Sequence, residues 1–320
     1  MESRTSHLKE ARYELVEIPE PMGPVSVTVD RRKVLDHAYS EDDFGSWYFQ
    51  DSPFGGPVGH PLVLANDLLF LFYEKYDGNT AQGLHTHEHL TFHSPVKVGE
   101  TVTIEGGYTH KYERRGQGYV ALDAEARGAD GRLLVRHTGK EIMRAVAGEI
   151  TGQNRTAGDV RSRTVLGTVD TTVPALDRAR PDAPARAALP RRTTVFTQDQ
   201  MSVFSWAGRG YANVHTAPDK AAASGLDRTI VQAQQQTGFL IANLIDVFGK
   251  AFFTSGELDL RFVSPAFVGD ELTAGGAVAG VTGDRLELEV WVDKADGTRT
   301  ALGWASAQVD TDPERPTRLV

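Results

Sequence analysis

The side chains best suited to chemistry fall within one stretch of the second half, residues 208–239, GRGYANVHTAPDKAAASGLDRTIVQAQQQTGF. His215 is the leading candidate for proton transfer, because an imidazole changes charge near neutral pH. Asn213 is a candidate for orienting a water or a substrate carbonyl, although Asn in such a loop also closes Asx turns. Tyr211 offers a phenol as proton donor, or a packing anchor. Gln232 and the run Gln234 to Gln236 are four amides that need partners if buried, which a pocket holding a polar substrate supplies; one exposed helical turn is the other reading. The first half offers FQDSPFGGPVGHPLVLAND, residues 49–67, with His60 and Asp51 as reserve candidates. Trp47, Tyr48, Phe49 and Phe54 read as aromatic walls of a substrate pocket or as core. His85, His87 and His89 alternate along one strand face, and three imidazoles so placed can bind a divalent metal. There is no cysteine, and hence no thiolate nucleophile, disulfide or Cys-based zinc site. Glycine-rich phosphate loops and G-x-S-x-G elbows are absent too.

The elements that carry these residues are written twice. Residues 87–99 read HEHLTFHSPVKVG and residues 257–269 read ELDLRFVSPAFVG, so Leu90, Phe92, Ser94, Pro95 and Gly99 recur as Leu260, Phe262, Ser264, Pro265 and Gly269. The constant register marks a duplicated unit. It also sets His87 and His89 against Glu257 and Asp259, which favours a solvated polar face over a metal site. Each half runs from a polar, aromatic-rich loop to an apolar segment with helical spacing, at 60–74 and 230–248. Alternating strands follow, with turns at Gly116 to Gly118, at Ala129-Asp130-Gly131, at Thr282-Gly283-Asp284 and at Asp296-Gly297. Gly99 and Gly269 are expected at turns that need a residue without a side chain. An α+β chain follows, in which each half wraps an antiparallel sheet around one buried helix.

That order of elements, with F-x-S-P-x-x-x-G on the first long strand, resembles the double-hotdog form of the MaoC-like (R)-specific hydratases and dehydratases. The likeness implies a first unit over 25–147 and a second over 192–320, an N-terminal extension over 1–24 and a crossover linker over 148–191. In that family D-x-N-P-x-H precedes the buried helix and a His-Gly pair opens it; the Asp and His activate a water, and an amide at the helix start receives the thioester oxygen. Asn213 and His215 match the Asn and His if one position is deleted. Gly210 or Tyr211 stands where the Asp belongs, and Gln232 and Ala233 stand where the His-Gly pair belongs. In the first half Pro61 follows His60, and proline has no amide proton. The oxyanion is therefore expected at Ala233. Gln232, Gln236 and the first-half aromatics are expected to line the substrate.

Forty per cent hydrophobic and 24% charged residues are ordinary for globular protein, and 320 residues suit two units. The net charge of −9 argues against nucleic acid or an anionic membrane as partner. No apolar run suits a signal peptide or a membrane span, so a cytoplasmic enzyme, expected as a homodimer without a cofactor, is the reading. Its expected reaction is hydration or dehydration of an enoyl or 3-hydroxyacyl group carried on coenzyme A or an acyl carrier protein. The alternatives are a repurposed hotdog that cyclises, isomerises or promotes cycloaddition of a polyketide-like substrate by orientation, and a non-catalytic acyl-binding subunit.

Overall fold

Strict alternation turns the two meanders into sheet: in Thr101–Arg114 the buried Val102 and Ile104 alternate with exposed Thr101, Thr103 and Glu105, placing one face against the core. The computed structural model describes residues 8–81, 83–114, 116–143, 163–310 and 314–319. Residues 148–162 of the expected linker and 1–7 of the expected extension lie outside the described residues. Ten strands form a single sheet: β1 (Glu20–Thr28), β2 (Leu84–Phe92), β3 (Thr101–Arg114), β4 (Gln117–Gly128), β5 (Leu133–Ile142), β6 (Arg192–Val195), β7 (Glu257–Phe262), β8 (Glu271–Thr282), β9 (Arg285–Lys294) and β10 (Arg299–Gln308). Their order is β1-β3-β4-β5-β2-β7-β10-β9-β8-β6, antiparallel throughout. Read outward from the middle, the two halves have the same order. The recurring phrases meet there, β2 pairing with β7 in the register Leu90 to Leu258 and Glu88 to Leu260. The expected turns join consecutive strands, although Gly118 lies inside β4 and Thr282 ends β8, and Gly99 and Gly269 both adopt positive φ, 93° and 81°. This is the double-hotdog architecture.

The helices break the symmetry. In the second half α5 (Ala233–Phe248) is buried from Gln234 to Ile245 without interruption and packs on β8, β9 and β10. The first half was expected to hold a comparable helix over 60–74. Instead α2 (Ala65–Leu69) lasts five residues and gives way to a 3-10 turn over Phe70–Glu74. The aromatic run explains the change: side chains at i and i+3 eclipse in a 3-10 helix, and Phe70 stacks on Tyr73 at 4.7 Å with ring planes 7° apart. The remaining helices are α1 (Arg31–Glu41), α3 (Gln198–Phe204), α4 (Pro218–Ala223) and α6 (Ala251–Ser255). None among the described residues is long and apolar enough to cross a membrane.

A buried polar network fastens α5 to the middle of the sheet. Glu88 on β2 accepts from Gln234 Nε2 at 2.9 Å and from Thr237 Oγ1 at 2.7 Å, and lies 3.2 Å from His137 Nε2 on β5. Glu88 and His137 are almost wholly buried. Burial alone would raise the Glu88 carboxyl, but His137 and His85 beside it and the Thr237 hydroxyl hold it down at about 2. The stability it contributes is therefore present above the unfolded glutamate range near ~4.3 and is lost as pH falls toward 2. Glu88→Gln, which leaves the buried partners without their anion, should destabilise the chain at pH 7 by about 3–5 kcal/mol. It should also flatten the loss of stability between those two pH values. Urea unfolding at pH 7 and pH 3 measures both effects.

Candidate active site

His215 is positioned by two turns of backbone. Its own N–H donates to Asn213 Oδ1 at 2.9 Å, while Asn213 N–H donates to Thr216 Oγ1 at 3.0 Å, so the Asn213 carboxamide closes a local turn. The segment before α5 is pinned by Ile230 N–H to the Val214 carbonyl and Val231 N–H to the Ala266 carbonyl. That holds the Ile230 carbonyl 2.8 Å from His215 Nδ1. A carbonyl only accepts, so Nδ1 carries the proton and Nε2 keeps its lone pair. Burial outweighs this hydrogen bond and lowers the imidazole to about 4. His215 is thus neutral at physiological pH, with Nε2 unprotonated.

Gln232 is the residue from which α5 starts, and the Ala233 amide at the first turn has no acceptor among the described residues. The glutamines are not exposed. Gln234 binds Glu88, Gln235 Nε2 donates to the Ser40 carbonyl at 2.8 Å, and Gln236 Oε1 accepts from Thr300 at 2.7 Å. Gln232 Oε1 is buried without a partner among the described residues, as are the spare oxygens of Gln234 and Gln235. Where a carboxylate was sought beside His215, Gly210 sits at φ 87° and Tyr211 leans its ring on Tyr73, 4.5 Å away.

A cavity of about 1540 Å³ is built mostly by the first half: β1, α1 and the broken helix form its walls, closed by residues 203–211 of the second. Tyr211 reaches it; His215, Asn213, Gln232, Ala233 and Gln236 do not line it. Trp47 and Phe54 pack on each other and on Phe253 of α6, and Tyr48 is bound to Asp43, so these aromatics serve the core rather than the cavity wall. Asp51 is exposed. Among the walls, Lys33 lies 2.5 Å from Asp67, and Trp206 sits in the left-handed region at φ 60° with Arg209 stacked on it at 3.9 Å. A bulky residue held there is uncommon. His60 is buried and bonded to His37 of α1, 3.1 Å apart. Lys33 and His37 escaped the sequence reading, since RRKVLDHAYSE looks like an ordinary polar helix; their i, i+4 spacing was the only signal.

The three strand histidines do not converge. His87 and His89 face Asp259 and Glu257 across the β2–β7 seam, each at 3.1 Å, while His85 points into the Glu88–His137 cluster. The ligand atoms of His85, Glu88 and His137 come within 4.8 Å of one another, but both Glu88 oxygens are already engaged.

Residues 178–301 match the family model described as MaoC like domain, so the second half carries a MaoC-like domain, with His215 and the start of α5 inside it. No match is found among curated protein sequences. Solved structures share the fold: a MaoC-like dehydratase is 16% identical, covering 93% of this chain and 100% of its own, with a TM-score of 0.68. A putative MaoC domain protein dehydratase from Chloroflexus aurantiacus is 13% identical over 99% and 100%, TM-score 0.66. A conserved hypothetical protein from Mycobacterium tuberculosis, described as having a double hotdog fold, is 14% identical over 93% and 98%, TM-score 0.64.

The tautomer is open to direct observation. Long-range nitrogen–proton NMR correlation should find His215 protonated at Nδ1 alone, staying neutral until the pH drops to about 4. An ordinary midpoint near ~6.5, or the opposite tautomer, would contradict the geometry.

Proposed function

We propose that this chain is a hydratase or dehydratase of the MaoC-like type, acting on an enoyl or 3-hydroxyacyl thioester carried on coenzyme A or an acyl carrier protein, with His215 as its single base. The supporting observation is the fixed Nε2 lone pair of His215, tethered through Ile230 to the segment that opens α5. For hydration, Nε2 takes a proton from water as the oxygen bonds to the β-carbon. The electron pair moves to the thioester oxygen, which the free Ala233 amide and the positive end of the 16-residue α5 stabilise. The imidazolium then protonates the α-carbon, which balances the addition of one water without a second acid. Asn213 is a positioning residue here, because its carboxamide holds the His215 backbone.

The missing carboxylate favours one further reading. With Gly210 or Tyr211 in its place, a hotdog that isomerises or cyclises a polyketide-like substrate needs only orientation and a few hydrogen bonds. We also propose a homodimer, since β1 and β6 leave two sheet edges; a single-chain mass in light scattering at micromolar concentration would end that idea.

His215→Ala should lower hydration of crotonyl-CoA and longer enoyl-CoA thioesters by about 10²–10⁴-fold. The loss of absorbance of the conjugated enoyl thioester follows the rate. If the folded variant stays within a few-fold of the parent, His215 is not the base.

A further inference from the structure

The cavity wall holds a second imidazole base, far from the motif of the second half in sequence. The Leu62 amide donates to His60 Nδ1 at 3.0 Å, so that nitrogen bears a lone pair. His37 Nε2 lies 3.1 Å from the same atom; facing an unprotonated nitrogen, it makes a favourable contact when it carries the His37 proton and shares that lone pair with the Leu62 amide. In a neutral imidazole the other nitrogen is then bare. His37 Nδ1 has no protein partner among the described residues, is not sealed in the interior, and belongs to a side chain lining the cavity. Burial, with His60 and Lys33 adding to it against the opposing pull of Asp43, keeps the His37 ring well below its ordinary value and hence neutral.

The pair is rigidly framed. The Tyr48 ring meets His60 edge-on at 5.8 Å, Tyr48 Oη donates to Asp43 at 2.9 Å, and Arg192 of the second half lies 3.2 Å from Asp43. His60 Nε2 is buried without a partner among the described residues, which a purely structural histidine has little reason to leave so. One turn before His37 on α1, Lys33 lines the same cavity, its ammonium held by Asp67 at 2.5 Å. A bare imidazole nitrogen and a fixed ammonium on one helix face are the two parts needed to enolise a carbonyl compound.

We propose that His37 and Lys33 form a second reacting centre that removes a proton from a carbon activated by the carbonyl of an unsaturated acyl compound bound in the cavity. His37 Nδ1 takes the proton: the C–H bond breaks, an N–H bond forms, and the electron pair moves through the conjugated system to the carbonyl oxygen beside Lys33. The imidazolium returns the proton to the same carbon or to the other end of the dienolate. The net change is hydrogen exchange or double-bond isomerisation, with no co-reactant. His60 and Asp67 are positioning residues. This centre shares with the hydratase reading only the entry of an unsaturated acyl group.

Crotonyl-CoA in heavy water separates the two. Hydration through His215 yields 3-hydroxybutanoyl-CoA and never labels the γ-methyl group, whereas a dienolate formed by His37 places deuterium there, as proton NMR reads directly. The full chain should label the γ-methyl. His37→Gln should lower that exchange by about 10²–10⁴-fold, and Lys33→Met should lower it as well, with Lys33→Arg retaining more than Lys33→Met. Should His37→Gln fail to fold, His37→Asn and the Lys33 pair supply the same comparison. No γ-label from the parent chain, or undiminished label in a folded His37 variant, overturns the proposal; loss of hydration alone bears on His215 instead.

Discussion

The pairing of β2 with β7 is the constraint on which the rest depends. A hotdog sheet has an open edge, and an unpaired edge exposes a row of backbone donors and acceptors. Each half closes the other's edge by setting its copy of the repeated phrase antiparallel to its twin. The seam is then cross-linked from both faces: His87 and His89 reach Asp259 and Glu257, while Glu88 reaches Gln234 and Thr237 on α5. Because α5 is tied to a strand of the first half, its N-terminus cannot drift from the joint. The loop bearing His215 inherits that fixed position through Ile230.

Once the halves are joined, their unequal helices decide where a ligand fits. α5 fills its own half with 16 residues, nearly all buried. The five residues of α2 and the following 3-10 turn are shorter, and the cavity lies along them. Bonds between the halves ring this region: Asn66 Nδ2 to the Phe204 carbonyl, Gln200 Nε2 to the Tyr39 carbonyl, and Ala212 N–H to Asn79 Oδ1. The duplicated sheet is symmetric; the cavity is not.

The sheet was legible because its signals are local and repeated. Alternation, four glycine-marked turns and the shared F-x-S-P-x-x-x-G phrase each specify backbone geometry within a few residues. The length of the first helix was not legible, since PLVLANDLLFLFY satisfies helical spacing and the stacking of Phe70 on Tyr73 is a tertiary outcome. The glutamine run was read as pocket or solvent face, while its amides go chiefly to Glu88, Ser40 and Thr300, partners 64 to 195 residues distant in sequence. His37 was invisible for the same reason. Its meaning depends on His60, and nothing near residue 37 announces residue 60.

Both imidazoles reach the same chemical state by the same means. His215 gives its proton-bearing nitrogen to the Ile230 carbonyl, and His37 gives its own to His60; burial keeps each ring neutral and leaves one lone pair free. The carboxylates around them are committed elsewhere. Asp67 holds Lys33, Glu20 binds Tyr76 and Lys9, and Glu88 is locked in the seam. Glu41 is sealed against Gly238 of α5, where burial and the neighbouring Asp43 keep its carboxyl protonated well above the usual range. A reaction that needs a free carboxylate paired with an imidazole therefore finds none among these four. One in which a single neutral base takes a proton and returns it finds its reactant already prepared.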